Sequence, residues 1–217
     1  AEGDEATEAK EAGADVVKFQ CFTPEKYVSV GEKKFKIIKN FFLSQNDFDH
    51  IIKYCNKIKI KYLFTPVSHD WINYLKKKNE VIKIASGDLN FDYLLKSAIY
   101  NNLKIILSTG ISDKIEIARA LKIIKKKYKK ETLNKKVVLM HCVSNYPVED
   151  KDANILSVKY LKDKFKLVTG YSNHVIGINA CLASICMGAR VIEFHFTDDK
   201  NRKFRDHKLS LNKNDVK

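Results

Sequence analysis

The chain has 217 residues, and its content of 45% apolar and 30% charged residues is that of a folded domain, which excludes an intrinsically disordered chain. The formal net charge of +14 comes from 40 lysines and arginines against 26 acidic residues. The sequence contains no run of about 18 apolar residues, so we expect no membrane-spanning helix.

The predicted elements alternate regularly along the chain. It opens on a helix over Glu5–Gly13, and short apolar runs rich in β-branched residues then alternate with segments of helical periodicity. Ser44, Ser112 with Asp113, and Gly188 supply capping signals for three helices. The predicted strands are Val16–Gln20, Tyr62–Val67, Val81–Ser86, Lys104–Gly110, Lys136–Val143, Leu167–Ser172 and Val191–Phe196. The predicted helices after the first are Ser44–Lys57, Asp70–Lys78, Phe91–Asn101, Ser112–Tyr128, Asn154–Lys162 and Val175–Met187.

This alternation predicts an α/β fold with a parallel sheet, because each strand is followed by a crossover helix. The near-continuous apolar strands indicate burial on both faces. Seven strands preceded by a helix predict a TIM (β/α)8 barrel that lacks its first strand, with an open doubly wound sheet as the alternative. Since linkers and repeats are absent from the sequence, we expect residues 1–217 to form a single, incomplete barrel domain. The longest irregular stretch, Cys21–Phe42, is expected to be an active-site loop.

The positive charge is interpreted as a property of the surface. The lysine runs at 76–78 and 125–127 coincide with predicted helix ends, where the helix dipole favours positive charge. Only four basic residues are arginines, the side chain that base recognition and phosphate clamps favour. We therefore expect no specific nucleic-acid partner, and a non-catalytic module that binds polyanions remains the alternative.

The amino terminus and the cysteines indicate the compartment. The first residues of the chain are acidic and lack the apolar segment of a signal peptide. The cysteines are scattered and odd in number, which predicts free thiols in a reducing cytoplasm. A nucleophile pair of His141 and Cys142 is not expected, because adjacent strand residues point to opposite faces. The cysteines are Cys21, Cys55, Cys142, Cys181 and Cys186.

Polar side chains occur toward the carboxyl end of every predicted strand, where a buried parallel strand should be apolar. Several are spaced i, i+2, so that both members of each pair face the same side of their strand. A buried lysine or glutamate is costly unless it is paired. Because the carboxyl ends of the strands form the catalytic face of a barrel, this pattern predicts a functional site. The polar residues are Lys18, Gln20, Thr65, Lys83, Ser86, Ser108, Thr109, His141, Ser172, His174, Glu193 and His195.

The lysines and hydroxyl groups of this set are suited to an anion. Lys18 and Lys83 supply positive charge for a phosphate or a carboxylate. The hydroxyl donors are Ser86, Ser108, Thr109 and Ser172. A structural ion pair is the alternative role of Lys83. Burial can also activate either lysine to form a Schiff base, so an aldolase that needs no metal is the alternative enzyme class.

The histidines are suited to a divalent metal. His174 and His195 lie on adjacent predicted strands, and two imidazoles with water or substrate oxygens suit Mn2+, Zn2+ or Fe2+. A buried structural histidine is the alternative for each. Glu193 and Asp206 are candidates to orient a ligand or to act as a base.

Eight short segments, in this order, resemble the N-acetylneuraminate (sialic acid) synthase family and its legionaminate and pseudaminate synthase relatives. The resemblance extends over nearly the whole chain, and the shared order of the segments makes it specific. The segments are 13–20 (GADVVKFQ), 64–66 (FTP), 83–88 (KIASGD), 107–110 (LSTG), 141–147 (HCVSNYP), 170–174 (GYSNH), 191–197 (VIEFHFT) and 206–208 (DHK).

The resemblance implies a TIM barrel that condenses phosphoenolpyruvate with an open-chain N-acetylated amino sugar, releasing phosphate by C–O cleavage and forming a nine-carbon α-keto acid. It implies a divalent metal at His174 and His195, Mn2+ first and Mg2+ or Co2+ as alternatives, and a homodimer for the full-length protein. By similarity, phosphoenolpyruvate is bound by Lys18, Lys83, Ser86, Ser108, Ser144, Asn145 and Ser172. By similarity, the sugar faces Gln20, Tyr146 and Asp206, and the catalytic proton carriers or polar supports are Glu193, Asp88 and Asp206.

Three departures from the family pattern are visible in the sequence. The family's first strand, with its acidic residue and Asn-His-Asn-Gly loop, is not in this sequence. Nor is its C-terminal antifreeze-like domain, which supplies an arginine to the neighbouring active site of the dimer. We expect activity to depend on both. The usual Asp of Tyr-Ser-Asp-His is Asn173 here, which predicts one negative charge fewer beside the metal.

Overall fold

A computed structural model describes residues 2–203 and 206–217 and shows a seven-stranded sheet. Neighbouring strands are parallel and follow one another across the sheet in chain order. All the predicted strands are confirmed, with small differences at their ends. The strands are β1 (Val16–Cys21), β2 (Lys61–Pro66), β3 (Val81–Ile84), β4 (Lys104–Ser108), β5 (Val137–His141), β6 (Val168–Asn173) and β7 (Val191–Phe194).

At least one helix lies in every crossover between consecutive strands, which confirms the α/β prediction. In the described part of the chain, no helix combines the length and apolar character needed to cross a membrane. The helices are α1 (Glu2–Glu11), α2 (Pro24–Tyr27), α3 (Phe35–Asn40), α4 (Gln45–Ile58), α5 (Ile72–Leu75), α6 (Asp92–Tyr100), α7 (Lys114–Lys125), α8 (Lys130–Leu133), α9 (Leu156–Phe165), α10 (Asn179–Cys186) and α11 (Lys213–Val216).

Two of the predictions for the crossovers need correction, one of an irregular segment and one of a helix. The stretch Cys21–Phe42, predicted to be irregular, contains α2 and α3, which are too short to show a helical period. The helix predicted over Asp70–Lys78 is a 3-10 turn at His69–Trp71 followed by the single turn of α5. The lysine runs follow α5 and close α7, where they were expected.

Side-chain caps fix the ends of the longer helices. Ser44 and Asp47 form a capping box at the start of α4. Asp113, rather than Ser112, is the N-cap of α7 and accepts from two backbone N–H groups. Gly188 follows α10 with a φ of 97°, a conformation that glycine adopts without a steric penalty.

The two faces of the sheet have different surroundings. On the outer face, Phe64 of β2 packs against Phe48 of α4, with ring centroids 5.4 Å apart. Tyr171 of β6 is buried on the same face in a cluster with residues of α9 and α10. Because side chains alternate along a strand, Thr65 and Ser172, the neighbours of these two aromatic residues, face the inner side.

The sheet curls, and β1 and β7 are its two edges. The first residue of β1, Val16, is 42% exposed although it belongs to the inner side. A cavity of about 570 Å³ lies between the amino ends of β1, β2 and β3 and reaches the inner residues Leu63 and Ile106. This cavity is at the end of the sheet opposite to the polar residues, so it takes no part in the site that they form.

Candidate active site

An ion pair crosses the inner side of the sheet. Lys83 of β3 pairs with Glu193 of β7, although three strands lie between them. The lysine is only 5% exposed. Ser172 of β6 donates to the same carboxylate oxygen, Oε1, at 2.8 Å. Lys83 is thus in a buried ion pair, and the curvature of the sheet brings these three side chains together.

The charges of this group support each other. Burial by itself raises the pKa of Glu193, but the positive charges of Lys18 and Lys83, and hydrogen bonds from Lys83 and Ser172, lower that pKa to about 2. Lys18 of β1 is half-buried, and burial lowers its pKa while Glu193 partly restores it. Two lysines beside one carboxylate favour an anionic ligand on the inner side.

His174 and His195 lie next to each other beyond the carboxyl ends of β6 and β7, with ring centroids 5.5 Å apart. Nδ1 of His174 is 2.6 Å from the carbonyl oxygen of Val143, and Nδ1 of His195 is 3.6 Å from Oδ2 of Asp206. Burial lowers the pKa of both rings, that of His195 to about 4. Both imidazoles are therefore neutral at pH 7, the state that binds metals.

The donor set of this histidine pair fits a divalent metal. In metal-binding histidines, one ring nitrogen usually faces a carbonyl or carboxylate while the other binds the metal. Nδ1 of each ring faces such an oxygen, which leaves both Nε2 atoms for a metal. Within residues 2–203 and 206–217, no three His, Cys, Asp or Glu side chains are grouped to hold a metal. Water or substrate oxygens would therefore complete the coordination, as in open catalytic sites.

Two hydroxyl groups on the inner side are buried without a hydrogen-bond partner among the described residues. They are Oγ of Ser108 on β4 and Oγ1 of Thr65 on β2. An unpaired buried hydroxyl costs free energy that a bound ligand recovers. In the sequence, Thr65 is only a polar strand residue without a predicted ligand, because the missing partner of its hydroxyl is visible only in the fold.

Ser86, Cys142 and Ser144 form a compact group around Gly110. The Oγ atom of Ser86 accepts from the Gly110 N–H at 3.0 Å and is 3.0 Å from Sγ of Cys142. A Cβ atom on residue 110 would lie 2.7 Å from Ser144 Oγ and 2.8 Å from Cys142 Sγ. The close approach therefore requires glycine at this position.

The residues that the resemblance assigns to the sugar lie at the rim. Gln20 is exposed at the end of β1, and Asn145 and Tyr146 are exposed in the segment after β5. The Tyr146 ring is 4.1 Å from the ring of His174 and 5.8 Å from that of His195, measured between centroids. Partial burial raises the pKa of Tyr146 to about 12. A neutral phenol thus covers one side of the histidine pair.

The two aspartates of the predicted catalytic set differ in their environment. Asp206 is partly exposed and lies beside His195. Asp88 ends the 3-10 turn Ser86–Asp88 after β3, and burial raises its pKa to about 6. A carboxyl with this pKa is suited to carry a proton near neutral pH.

Asn173 faces away from the metal-binding candidates. It lies on the outer face of β6, where its Nδ2 donates to the carbonyl oxygens of Val175 and Gly177 at 2.9 and 3.1 Å. Its Oδ1 accepts from the Tyr171 hydroxyl and from the Val175 N–H, both at 3.2 Å. The expectation that Asn173 removes a charge beside the metal is therefore wrong. The side chain anchors the turn that follows His174.

His141 also faces outward, so it does not belong to the polar group of the inner side. Its Nε2 is 2.9 Å from the carbonyl oxygen of Ala153, and its ring stacks on Tyr171. Burial lowers the pKa of this imidazole, which is a neutral structural histidine. Cys142 contacts the inner residue Ser86, which confirms that His141 and Cys142 point to opposite faces.

The fold and this site define an α/β protein with two lysines around a carboxylate, and a histidine pair, at the carboxyl edge of a parallel sheet. Residues 6–217 match the model of the NeuB family. An N,N'-diacetyllegionaminic acid synthase of Campylobacter jejuni is 36% identical in a match that covers 96% of this chain and 66% of the relative. The chain therefore belongs to the NeuB family, and the resemblance found in the sequence is confirmed.

Further relatives differ in how much of their own length the chain matches. An uncharacterized protein of Methanocaldococcus jannaschii is 38% identical over 97% of this chain, and the match covers 61% of that protein. The crystal structure of the N-acetylneuraminic acid (sialic acid) synthetase from Leptospira borgpetersenii in complex with citrate has a TM-score of 0.91 and 31% identity, covering 99% of this chain and 74% of that chain. The chain thus spans less than two thirds of the first relative.

Proposed function

We propose that this chain is the barrel part of a nonulosonic acid synthase, which condenses phosphoenolpyruvate with an open-chain N-acetylated amino sugar of the N-acetylmannosamine type and releases phosphate. The observation that carries the proposal is the meeting of Lys18, Lys83 and Glu193 on the inner side, at the same edge of the sheet as a neutral histidine pair. Membership of the NeuB family and the relatives named as legionaminic and sialic acid synthases support it.

The basic and hydroxyl groups bind phosphoenolpyruvate in this proposal. Lys18 and Lys83 compensate the negative charge of its carboxylate and phosphate, including the charge that grows on the leaving phosphate. The unpaired hydroxyl of Ser108 gains a partner from the ligand. Ser86, Ser144, Asn145 and Ser172 complete the set of donors.

Glu193 acts as a fixed charge in this proposal. With a pKa of about 2, its carboxyl remains ionised at neutral pH and is a poor proton carrier. Its negative charge instead pairs with Lys83 and opposes the lowering of the Lys18 pKa by burial. Of the two roles considered for it, the polar support is the one that its environment favours.

His174 and His195 would hold a divalent metal, Mn2+ first, through their Nε2 atoms. When bound, such a metal supplies Lewis-acid polarisation of the sugar aldehyde. Asp206 keeps the His195 ring in its orientation. Gln20 and Tyr146 contact the sugar from the rim, and the Tyr146 ring excludes water from one side of the histidines.

The reaction follows from this placement. C3 of phosphoenolpyruvate attacks the aldehyde carbon, water adds at C2, and the phosphate leaves with the bridging oxygen, so the C–O bond is the one that breaks. As the C2 ketone forms, the two protons of the added water pass to the former aldehyde oxygen and to the released phosphate, and a nearby carboxylate carries one of them. Asp88, with its pKa of about 6, and Asp206 are the two candidates for that carrier.

We propose further that the sheet is seven strands of an eight-stranded TIM barrel. The Lys83–Glu193 pair spans the inner side from β3 to β7, which requires strong curvature. A further strand between β1 and β7 would pair both edges and cover Val16, which is 42% exposed. We retain a homodimer and a cytoplasmic location for the full-length protein as parts of this proposal.

Calorimetric titration with phosphoenolpyruvate, in the presence of Mn2+ and then of EDTA, tests the two sites together. We expect saturable binding that strengthens with Mn2+. The His195→Ala variant should lose Mn2+ binding and keep its circular dichroism spectrum, whereas the control His50→Ala, on the exposed side of α4, should keep both. Unchanged Mn2+ affinity in His195→Ala contradicts the metal site, and absence of phosphoenolpyruvate binding contradicts the anion site.

Isotope transfer tests the reaction itself. Phosphoenolpyruvate carrying 18O in the bridging position is incubated with the enzyme, Mn2+ and N-acetylated amino sugars, and the phosphate is analysed by mass spectrometry. We expect the label in the phosphate. Label retained in the keto acid would show P–O cleavage and would contradict the proposed chemistry.

One observation favours a second candidate, a Schiff-base aldolase. Burial lowers the pKa of Lys18, which makes its amine a better nucleophile at neutral pH. Borohydride trapping with pyruvate distinguishes the two. A trapped adduct at Lys18, together with activity that EDTA leaves unchanged, would replace the synthase proposal.

A further inference from the structure

The contact between Cys142 and Ser86 is not used by the proposed reaction. Cys142 follows β5 and is 5% exposed on the inner side, and its Sγ lies 3.0 Å from Oγ of Ser86. Ser86 follows β3, so the contact joins segments that are 56 residues apart in the chain. The same Ser86 oxygen accepts a hydrogen bond from the Gly110 N–H at 3.0 Å.

The number of hydrogen-bonding positions on a hydroxyl group gives this contact a direction. A serine hydroxyl has one proton to donate and two lone pairs to accept. The Gly110 N–H occupies one lone pair of Ser86. If the Cys142 thiol donates to the second lone pair, the Ser86 hydroxyl has only its proton left, and that proton must point to another acceptor.

An anionic ligand selects this arrangement over its opposite. In the opposite arrangement Ser86 donates to the sulfur of Cys142, which is a weak acceptor. A hydrogen bond from a hydroxyl to a charged oxygen is roughly twice as strong as a neutral one. The bound state therefore has the thiol as donor and the Ser86 proton on the anion.

The packing around Gly110 keeps the two groups in this geometry. The space beside the Gly110 Cα is filled by Ser86 Oγ, Cys142 Sγ and Ser144 Oγ, each within 2.9 Å of where a Cβ atom would lie. Cys142 is 5% exposed, so its thiol has little room to turn away from Ser86. The Cys142 thiol therefore stays close to Ser86 Oγ, and Ser86 Oγ stays bonded to the Gly110 N–H.

We propose that Cys142 is a positioning residue, whose thiol donates to Ser86 so that the Ser86 hydroxyl is oriented to donate to an anionic oxygen of the substrate. The assignment of that anion to phosphoenolpyruvate rests on the proposed function. The donor direction of the thiol requires only an anion at Ser86, because the contacts of Ser86 with Gly110 and Cys142 by themselves allow either group to donate. In the sequence, Cys142 is only a nucleophile candidate whose neighbour His141 points to the opposite face, and the residues around it indicate no other role.

The test compares Cys142→Ala with Cys142→Ser by calorimetric titration of phosphoenolpyruvate in the presence of Mn2+. The alanine variant lacks the donor, and we expect its Kd to rise roughly three- to tenfold, the range of one hydrogen bond. The serine variant keeps a donor and should stay within about twofold of the unmodified protein. Cys181→Ala, a buried thiol in the helix-packing cluster away from Ser86, is the matched control and should leave the Kd unchanged.

Two results overturn the inference. An alanine variant that binds as tightly as the unmodified protein shows that the thiol does not orient Ser86. A serine variant that binds as weakly as the alanine variant shows that sulfur acts by its size. Thermal unfolding of each variant separates a loss of affinity from a loss of fold.

The S–H stretching band, recorded with inorganic phosphate as the anion, tests the donor direction without phosphoenolpyruvate. The difference between the infrared spectra of the unmodified protein and Cys142→Ala isolates the Cys142 band, which lies at lower frequency when the thiol donates. We expect Ser86→Ala to move this band to higher frequency. If phosphoenolpyruvate fails to bind the unmodified protein, the proposed function fails. In that case a band that moves still supports the donor role, and an unmoved band overturns it.

Discussion

Among single residues, Asp88 has a carboxyl group whose ionised form is disfavoured by burial. Burial raises its pKa from 3.8 to about 6, and no described side chain forms a hydrogen bond or ion pair with it. Because the pKa in the folded state is above that in the unfolded state, the folded protein is most stable, with respect to this group, below pH 4. That stability is lost as the pH rises through 6. Two pKa units correspond to about 3 kcal/mol, which partial solvent contact reduces to roughly 1 to 2 kcal/mol.

The substitution Asp88→Asn removes this ionisation. We expect it to raise the free energy of unfolding by roughly 1 to 2 kcal/mol at pH 7.5 and to leave it nearly unchanged at about pH 3, below the unfolded pKa, measured by urea denaturation. Glu131→Gln, at an exposed carboxylate, is the control and should show no such difference. An equal gain at both pH values would mean that the charge of Asp88 is not what destabilises the fold.

Both the Nδ2 and the Oδ1 atoms of Asn173 form hydrogen bonds, so replacing Asn173 with aspartate is not a conservative change. Both protons of Nδ2 are donated to backbone carbonyls, and a carboxylate in the same place would repel those oxygens. We expect Asn173→Asp to lower the free energy of unfolding by about 2 to 5 kcal/mol in thermal or urea denaturation. Asn179→Asp, at the exposed start of α10, should be neutral or slightly stabilising. A stable Asn173→Asp protein would show that the turn after His174 does not need these bonds.

The sequence predicts the side of a strand on which a residue lies better than it predicts which residues that side chain contacts. The i, i+2 spacing of Ser172 with His174 places both on one side of β6, and the contact of Ser172 with Glu193 confirms that this is the inner side. The same alternation places Asn173 on the outer side. Its position next to His174 in the sequence nevertheless led to the expectation that it lies beside the metal. The contact between Cys142 and Ser86 could not be predicted, because it depends on how strongly the sheet curls.

At the level of elements, the strands were predictable because each is a short apolar run between polar segments. Helices with caps were also predictable, as Ser44 and Asp113 show. The helices α2 and α3 were missed since four to six residues give the helical period no room to show. Neither helix is capped by a side chain, so no local signal marks their starts apart from Pro24.

The pairing of β6 with β7 depends on Gly170. A Cβ atom there would lie 2.5 Å from the backbone carbonyl oxygen of Val191, which cannot move without separating the two strands. We expect Gly170→Ala to lower the free energy of unfolding by about 3 kcal/mol in urea denaturation. It should also weaken Mn2+ binding, because the histidine pair lies beyond these two strands. Gly87→Ala, where nothing lies within 4 Å, is the control and should have little effect. Equal stability of the two variants would contradict this close approach.

Across the whole molecule, opposite charges join the two ends of the described chain. The acidic helix α1 contacts α4 and α11. Glu11 pairs with Lys213, and Glu5 lies 3.7 Å from Arg202. The acidic amino-terminal segment of an otherwise basic chain is therefore complementary to the basic residues near its carboxyl end. These pairs are exposed, so salt screens them and each contributes little to stability.

The Lys83–Glu193 ion pair on the inner side is expected to contribute more to stability than the exposed pairs, because it is buried and joins distant strands. Removing the charge of Glu193 leaves Lys83 without a partner and lowers the pKa of Lys18 further. We expect Glu193→Gln to lower the free energy of unfolding by about 3 to 5 kcal/mol at pH 7, measured by urea denaturation. We expect Lys83→Met to be destabilising for the reciprocal reason, since it leaves a buried carboxylate with less compensation.

The double variant tests whether the loss of stability in the two single variants comes from the interaction between Lys83 and Glu193. If the charges stabilise each other, Glu193→Gln combined with Lys83→Met is less destabilised than the sum of the two single variants, because no buried charge of the pair remains. Losses that simply add would mean that each side chain contributes through its own packing. Since the pair is the contact that joins β3 to β7, its coupling energy measures how far the curvature of the sheet depends on the charges that the proposed site needs for its anion.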